Sequence, residues 1–347
     1  GLIMGDLQTG VIIGATLESM FMGSIMVGSA VPPEVYASSI LSIAHNKIDD
    51  LQYYNNSNFI HNFKVLLQLK LQKYEYGMIL KYDGQSKSVW AALILKLVGC
   101  KTIALDGYVK ENQYIDNIVP VAKRENIHNV DRCFECLKYF GINSEYNENI
   151  YYRRIFNKEK IEKTYTQLNL GLSNEEFIVL CVGANKVSFK INGKYKSNDV
   201  KNWPIENWIV LANSLNKENI RVVLVGGKND IKKIIDCKER LDNSILNLVG
   251  RMNIAESISI LEYAKMVVGC DTGLMHCAAS LNKRTLMLLG GITPIQAQGY
   301  GKNSESIYLH KQCSPCFGTG KDVFCNDPVC MKEISVENVL ERILNIC

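Results

Sequence analysis

Residues 268–279 read Val268-Gly-Cys-Asp-Thr-Gly-Leu-Met-His-Cys-Ala-Ala279. The run from Ala264 to Cys270 is apolar except for Lys265, which predicts a buried strand. Small residues after Asp271 then predict the start of a helix, so a carboxylate, a hydroxyl, bare backbone and the imidazole of His276 follow the carboxyl end of that strand. Ligands bind at that end in open α/β sheets, and free N–H groups at a helix N-terminus favour phosphate. The stretch therefore predicts a nucleotide or sugar-nucleotide site.

The rest of the chain alternates apolar runs with helical patterns, which predicts an α/β protein with parallel sheets. Strands are predicted at 24–28, 76–80, 102–105, 177–182, 221–225, 266–270 and 284–289, with helices at 33–43, 88–97, 131–140, 204–215, 231–241 and 254–264. A chain of 347 residues is too long for one ordinary core. We place a linker in the polar segment 145–170, which gives Rossmann-like domains at 1–160 and 161–333 and a terminal helix at 334–347. Tandem domains of this kind bind ligands in the cleft between them.

Composition excludes several classes of protein. The chain is 47% hydrophobic and 21% charged, as is usual for a globular protein, and its net charge of +4 is spread along its length. This predicts no nucleic-acid partner but allows attraction to an anionic membrane surface. The apolar run 11–31 is long enough to span a bilayer, yet it contains Glu18, and no Lys or Arg precedes Lys47. A transmembrane segment and a secretory signal are both disfavoured, and a cytoplasmic protein is expected.

Other loops of the second half share the character of the opening stretch. Small or polar residues follow the predicted strands at 182–185, 225–230 and 290–294, and occur again at 249–252. Each loop alone predicts no more than a tight turn. Because carboxyl ends of parallel strands meet at one edge, the set predicts a single ligand-binding edge in the second domain.

These motifs resemble glycosyltransferase family 9, the heptosyltransferases of bacterial surface-sugar assembly. Asp271-Thr-Gly-Leu-Met-His-Cys-Ala-Ala279 resembles that family's D-[ST]-G-x-x-H-x-A-A signature, and Lys201-Asn-Trp-Pro204 is similar to its K-x-W-P helix start. Gly290-Gly-Ile-Thr-Pro294 is a looser match to a G-x-T-x-P turn, with the proline one residue early. Gly5-Asp6 resembles the family's G-D loop, and His128-Asn-Val-Asp-Arg132 resembles a pattern before the linker. The likeness runs through nearly the whole chain in the family's order.

The resemblance implies a GT-B fold, in which two Rossmann-like domains face a central cleft. It implies inverting transfer of a sugar from a nucleotide donor, often ADP-L-glycero-D-manno-heptose, without a catalytic metal. Asp6 would be the general base on the acceptor hydroxyl, and Lys201 would neutralise the departing diphosphate. Residues implied to bind the donor are Gly183, Ala184, Met252, Asp271, Thr272, Gly273 and His276. Of these, Thr272 and Gly273 would hold phosphates with the help of His276, Asp271 would bind sugar hydroxyls, and Met252 would flank the base.

Four cysteines form a separate cluster in the loop 313–330. Cys313, Cys316, Cys325 and Cys330 have the spacing C-x2-C-x8-C-x4-C, which can close around one tetrahedral metal. The metal would be structural zinc or iron, because four protein ligands leave no open position for chemistry. Reduced thiols, or disulfides formed after purification, are the alternative.

We therefore expect an inverting glycosyltransferase that moves heptose from ADP-heptose to a bacterial surface glycan such as lipopolysaccharide core. Two other functions stay open: a nucleotide-sugar epimerase or hydrolase, and a nucleotide-sugar binding protein without catalysis. The acceptor is open between a glycolipid and a protein side chain, the latter making the enzyme a protein O-heptosyltransferase. Peripheral contact with the cytoplasmic face of the inner membrane is compatible with either.

Overall fold

A computed structural model of the protein describes residues 76–79, 92–97, 99, 101–105, 113–120, 126–128, 130–131, 158–171, 176–184, 187–191, 194–316 and 325–346. The chain divides into two compact units, and the division along the chain falls between Ile155 and Phe156, with residues 22–28 assigned to the second unit. Predictions at 24–28 and 33–43 lie outside the described residues, as does most of the helix predicted at 131–140.

The described part of the first unit contains a parallel sheet of three strands in the order β1-β2-β3. They are β1 Tyr76–Ile79, β2 Lys101–Leu105 and β3 Asn117–Val119. Asp116 accepts a hydrogen bond from the Thr102 backbone N–H at 2.6 Å and pairs with Lys96. The Lys96 ammonium and that N–H lower the pKa of Asp116. One carboxylate thus ties the start of β3 to the start of β2.

The second unit is built on a sheet of six parallel strands in the order β11-β10-β9-β4-β7-β8. These are β4 Phe177–Cys181, β7 Arg221–Val225, β8 Leu246–Asn247, β9 Met266–Cys270, β10 Arg284–Leu289 and β11 Ser304–Tyr308. The four central strands are apolar on both faces because helices cover both sides of a parallel sheet. An antiparallel hairpin, β5 Val187–Ile191 and β6 Lys194–Asn198, follows β4.

Helices complete the second unit. They are α1 Lys158–Leu168, α2 Ile205–Lys217, α3 Ile231–Ile235, α4 Ile254–Tyr263, α5 Gly273–Ser280, α6 Pro294–Ala297, α7 Val329–Lys332 and α8 Val336–Ile346. Trp203 and Trp208 meet edge to face, with ring centroids 4.9 Å apart, at the centre of the core. In the part of the chain described, no helix combines the length and apolarity needed to cross a membrane.

Two sequence predictions need correction here. The predicted linker contains α1, whose Tyr165 stacks on Tyr263 of α4 with ring centroids 4.0 Å apart. The predicted helix at 231–241 ends as α3 at Ile235, and a separate 3-10 turn follows at Lys238–Arg240. The helix was missed in the predicted linker because α1 is highly charged and packs through only a narrow apolar stripe.

Candidate functional site

The loops predicted to bind a ligand come together at one edge of the second unit's sheet. Strands β9, β4 and β7 are parallel neighbours, so their carboxyl ends share that edge. Asp271 follows β9 directly, residues 182–184 follow β4, and residues 226–230 follow β7. Helix α5 then begins at Gly273, as the sequence predicted.

Lys201, Asp271 and His276 form a buried polar cluster at this edge. Lys201 Nζ lies 2.6 Å from Asp271 Oδ2, and His276 Nε2 lies 3.2 Å from Asp271 Oδ1. Their exposed fractions are 3%, 5% and 1%. Burial alone would raise the pKa of Asp271, but the Lys201 ammonium and the His276 imidazole outweigh it and hold that pKa well below its usual range. The cluster holds the Lys201 ammonium and the Asp271 carboxylate as a buried charge pair beside the start of α5.

The N-terminus of α5 carries a polar group that the described protein leaves unsatisfied. Thr272 is the N-cap residue in an extended conformation, and its side chain makes no capping hydrogen bond. Its hydroxyl is buried, with no hydrogen-bond partner among the described residues. A buried hydroxyl of this kind costs free energy unless something bonds to it. Together with the N–H groups of the first helical turn, it forms a site suited to an anion.

Asn202 joins the segment of Lys201 to the end of β4. Its Oδ1 accepts from the Ala184 backbone N–H at 2.6 Å, and its Nδ2 donates to the Ala184 carbonyl, also at 2.6 Å. Nδ2 also donates to Asp199 Oδ1. The amide thus pairs with both backbone groups of one residue, as a neighbouring strand would.

Trp203 fixes the same segment from the other side. Its backbone N–H donates to the Cys270 thiol at 3.4 Å, and its indole Nε1 donates to the Ile334 carbonyl at 2.9 Å. Lys201 is therefore bonded to Asp271, and Asn202 to the residue Ala184 after β4. Trp203 is bonded to β9 and to the segment before α8.

Asp230 is a site residue that we did not select from the sequence. It is 7% exposed, and its Oδ2 accepts from the Gly227 N–H at 3.0 Å. Burial raises the pKa of Asp230, and Lys233, 3.6 Å from Oδ1, opposes this. A Cβ on Gly183 would lie 1.9 Å from Asp230 Oδ2, so a larger residue there would have to displace the loop or the Asp230 carboxylate. The signal in the sequence is a carboxylate at the end of the Gly-Gly loop 225–230, which follows a predicted strand.

Met252 lies half-buried in the short loop before α4. Gly250, two residues earlier, donates its N–H to the Gly226 carbonyl at 2.9 Å, which joins this loop to the end of β7. Asn253 caps α4 through a reciprocal pair of hydrogen bonds with Glu256. The structure thus brings Met252 to the predicted edge, whereas its contact with a base stays a prediction.

The four clustered cysteines are thiols that influence one another. Burial and then the neighbouring Cys325, Cys330 and Cys313 raise the pKa of Cys316 to about 12, and the pKa of Cys330 rises to about 11 for similar reasons. Across 194–316 and 325–346, no three potential ligands are arranged to hold a metal ion. A Cβ on Gly290 would lie 2.7 Å from Cys330 Sγ, so Cys330 packs beside the residue that follows β10.

The sequence model described as glycosyltransferase family 9 (heptosyltransferase) matches residues 65–325. The chain belongs to glycosyltransferase family 9. The match includes every predicted donor-binding residue, Lys201 and three of the four clustered cysteines. Asp6 lies outside both this match and the described residues, and residues 1–51 match the sorbose-specific iic component of a PTS system instead.

Individual relatives agree with the family. The chain is 32% identical over 120 residues to lipopolysaccharide heptosyltransferase 1 of Salmonella typhimurium, covering 34% of this chain and 36% of that protein. It is 30% identical over 138 residues to lipopolysaccharide heptosyltransferase 2 of Escherichia coli, covering 38% and 36%. The matched segments therefore span about a third of the length of these curated relatives.

Solved structures show the fold. The E. coli ADP-heptose lps heptosyltransferase II superposes with a TM-score of 0.61 at 17% identity, covering all of this chain and 96% of that one. The family 9 glycosyltransferase of Veillonella parvula superposes with a TM-score of 0.69 at 14% identity, covering 96% and 94%. The predicted α/β fold of the GT-B type is confirmed.

Proposed function

We propose that the protein is an inverting glycosyltransferase that moves heptose from ADP-heptose to a bacterial surface-glycan acceptor such as lipopolysaccharide core. One observation carries the proposal: the buried Lys201 ammonium is bonded to Asp271, and the next residue, Thr272, places a buried, unsatisfied hydroxyl at the N-terminus of α5. Charge and free donors together suit a diphosphate leaving group. Family membership supports the reaction class, and a related solved structure is E. coli heptosyltransferase WaaC with ADP.

In this proposal the donor's diphosphate binds at the start of α5. Thr272 and Gly273 hold its oxygens, with His276 orienting them, and Lys201 neutralises the charge that develops as the bond to the anomeric carbon breaks. A hydrogen-bonding group held rigidly in a buried site stabilises that charge better than water does, because it need not reorient as the charge develops. Asp271 fixes Lys201 and His276, and its remaining lone pairs accept from sugar hydroxyls.

The nucleoside would lie along the neighbouring strand ends. Gly183 and Ala184 would pass close to the donor, and Met252 would flank the base. Asp230, buried at the end of the 226–230 loop, adds a carboxylate that can accept from hydroxyl groups at this edge.

Asp6 stays our proposal for the general base. The acceptor oxygen attacks the anomeric carbon from the face opposite the diphosphate, the base takes the hydroxyl proton, and ADP leaves. Asp6→Asn should lower kcat by a factor of about 100 or more while leaving affinity for the donor unchanged. Unchanged turnover would assign the proton transfer to another residue.

The acceptor, the location and the metal are parts of the same proposal. We propose a glycolipid acceptor reached from the cytoplasm by peripheral contact with the inner membrane. Cys313, Cys316, Cys325 and Cys330 are the ligand type for structural zinc or iron, and a bound metal would have to draw them together, because the described residues do not place three ligands around one point. Elemental analysis of freshly purified protein should find about one metal per chain, and Cys316→Ser should lose it.

Calorimetry with ADP-, UDP- and GDP-sugars tests the donor site. We expect the ADP-sugar to bind most tightly and Lys201→Gln to weaken it by at least about tenfold. Lys265→Gln is the control, because Lys265 also pairs with a carboxylate, Glu176 at 2.5 Å. That pair lies at the amino ends of β9 and β4, whereas the site lies at their carboxyl ends. Equal effects of the two changes would overturn the role of Lys201. Release of free heptose instead of transfer would identify a hydrolase.

A further inference from the structure

We propose that Asn202 is a positioning residue, which sets the spacing between Lys201 and the Gly183–Ala184 loop that a nucleotide-sugar diphosphate requires. The inference rests on the proposed function and goes beyond it, since no donor contact is assigned to Asn202. It stands on the amide's two hydrogen bonds to Ala184 and its third to Asp199.

The first argument is geometric. Between Ala184 and Lys201 the chain leaves the sheet through the hairpin β5–β6 and returns, so no continuous strand holds the two ends together. A pair of opposed hydrogen bonds fixes both distance and orientation, and the asparagine side chain has only two rotatable bonds. Asn202 therefore joins the two ends of the segment 184–202, and it does so next to Lys201 in the chain.

The second argument concerns which backbone donors remain for a ligand. The N–H of Ala184 is already used by Asn202. Ala184 therefore contributes the shape of the loop, and anion binding falls to Lys201 and the start of α5. Any shift of the 201–202 peptide would move the ammonium relative to the Thr272 hydroxyl.

The third argument is that Asn202 links two parts of the site. Its partner Asp199 also accepts from Lys233 Nζ at 3.3 Å, and Lys233 reaches Asp230 at 3.6 Å. Polar contacts thus run from the end of β4 to the loop after β7. An aspartate at 202 would face the Asp199 carboxylate and the Ala184 carbonyl, so the neutral amide is the side chain that fits.

Asn213 provides a matched control. Its Nδ2 donates to the Arg240 carbonyl at 2.7 Å, and its Oδ1 accepts from the Asp242 N–H at 3.0 Å. It is the same two-point bond between an asparagine amide and the backbone, on an exposed part of the same unit. Asn202→Ala loses one more hydrogen bond, to Asp199, so it should cost more stability than Asn213→Ala, and the control tests whether affinity falls for that reason alone.

The experiment measures binding of ADP and an ADP-sugar by calorimetry, together with thermal unfolding. We expect Asn202→Ala to weaken both ligands about tenfold, with Asn213→Ala binding as wild type, because only the first moves Lys201. In a Lys201→Gln background, Asn202→Ala should weaken binding less than about twofold further, which shows coupling. If Asn202→Ala does not fold, Asn202→Ser, whose shorter side chain cannot form the paired bonds to Ala184, should show the same loss of affinity.

Three results would overturn the proposal: wild-type affinity in Asn202→Ala, equal losses in both asparagine variants, or fully additive effects with Lys201→Gln. Other results would contradict the proposed function instead: no nucleotide binding by the wild-type protein, or unchanged donor binding in Lys201→Gln. Absence of all nucleotide binding would overturn both proposals. Wild-type affinity in Asn202→Asp would also contradict the proposal for Asn202, because an aspartate cannot donate to the Ala184 carbonyl or to Asp199.

Discussion

Two lysine–aspartate pairs lie at the same sheet edge, and their aspartates have pKa values shifted in opposite directions. Asp271 is paired with Lys201 at 2.6 Å and has a lowered pKa. Asp230 lies 3.6 Å from Lys233 and has a raised pKa. Burial raises the pKa of both carboxylates. At Asp271 the charge of Lys201 and the hydrogen bond from His276 outweigh burial, whereas at Asp230 burial outweighs Lys233 and the Gly227 N–H. The first pair is thus a fixed charge pair, whereas the second holds its carboxylate weakly.

The most severe test of this comparison removes the carboxylate of the tighter pair. Asp271→Ala leaves Lys201 buried without its charge partner, which should lower the free energy of unfolding by about 3–5 kcal/mol. Asp327→Ala is the control, because Asp327 pairs with Lys332 at 2.7 Å on the surface and should cost no more than about 1 kcal/mol. Urea unfolding measures both, and equal losses would contradict a special role for the buried pair.

The second test adds a side chain next to the weaker pair, Asp230 and Lys233. Gly183→Ala would place a Cβ 1.9 Å from Asp230 Oδ2, so the loop or the carboxylate must move, at a cost of about 1–3 kcal/mol. Gly227→Ala is the control, since its Cβ would be no closer than 3.7 Å to Asp230 Oδ2. Adding Asp230→Ala to Gly183→Ala should recover stability if the clash is the cause. No recovery would place the strain elsewhere.

A third test asks whether the segment beside Lys201 holds the tighter pair in place. Trp203→Phe leaves the Ile334 carbonyl without the indole N–H, which should cost about 1–2 kcal/mol and weaken donor binding. Trp208→Phe loses no such bond, because the Trp208 indole N–H has no hydrogen-bond partner in the described residues. Thermal unfolding and calorimetry compare the two variants. A larger loss of donor affinity in Trp208→Phe than in Trp203→Phe would contradict the role of Trp203 in holding the segment beside Lys201.

The smallest expected effect is pH-dependent. Because the pKa of Asp230 is raised on folding, its ionisation costs stability above that pKa, and the cost disappears at lower pH, where the folded protein carries the neutral acid. Asp230→Asn should therefore be more stable than wild type at pH 7 by about 1 kcal/mol or less. The advantage should shrink as pH falls towards 4. Asp271 has the opposite sign: its contribution is present above about pH 3.9 and is lost in stronger acid.

Sequence patterns predicted the centre of the sheet and missed its margins. The strands β4, β7, β9 and β10 are apolar runs that end at small or polar residues, which only buried parallel strands combine. The edge strand β11 carries Ser304, Glu305 and Ser306, and the hairpin β5–β6 alternates lysine with other residues, so neither has a core signal. Their pairing depends on neighbours that the local sequence does not specify.

The site was predictable where a motif places its residues and unpredictable where tertiary contacts do. The strand-to-helix stretch around Asp271 and His276 can be found from local pattern, and the family resemblance added Lys201, 70 positions away. Asn202 and Asp230 matter because of Ala184 and Gly183, each brought against them by folding. Contacts of this kind leave no periodic trace in the chain.

The position of Trp203 has a practical consequence. The indole is 2% exposed, sits two residues from Lys201 and bonds to the segment that leads into the last helix. Ligand occupancy at Lys201 would change the surroundings of this ring, and with them its fluorescence emission. In a variant that carries both Trp90→Phe and Trp208→Phe, the tryptophan emission would come from Trp203 alone, because the chain has three tryptophans. Under the proposed donor site, Trp203 would report ligand binding without an attached label.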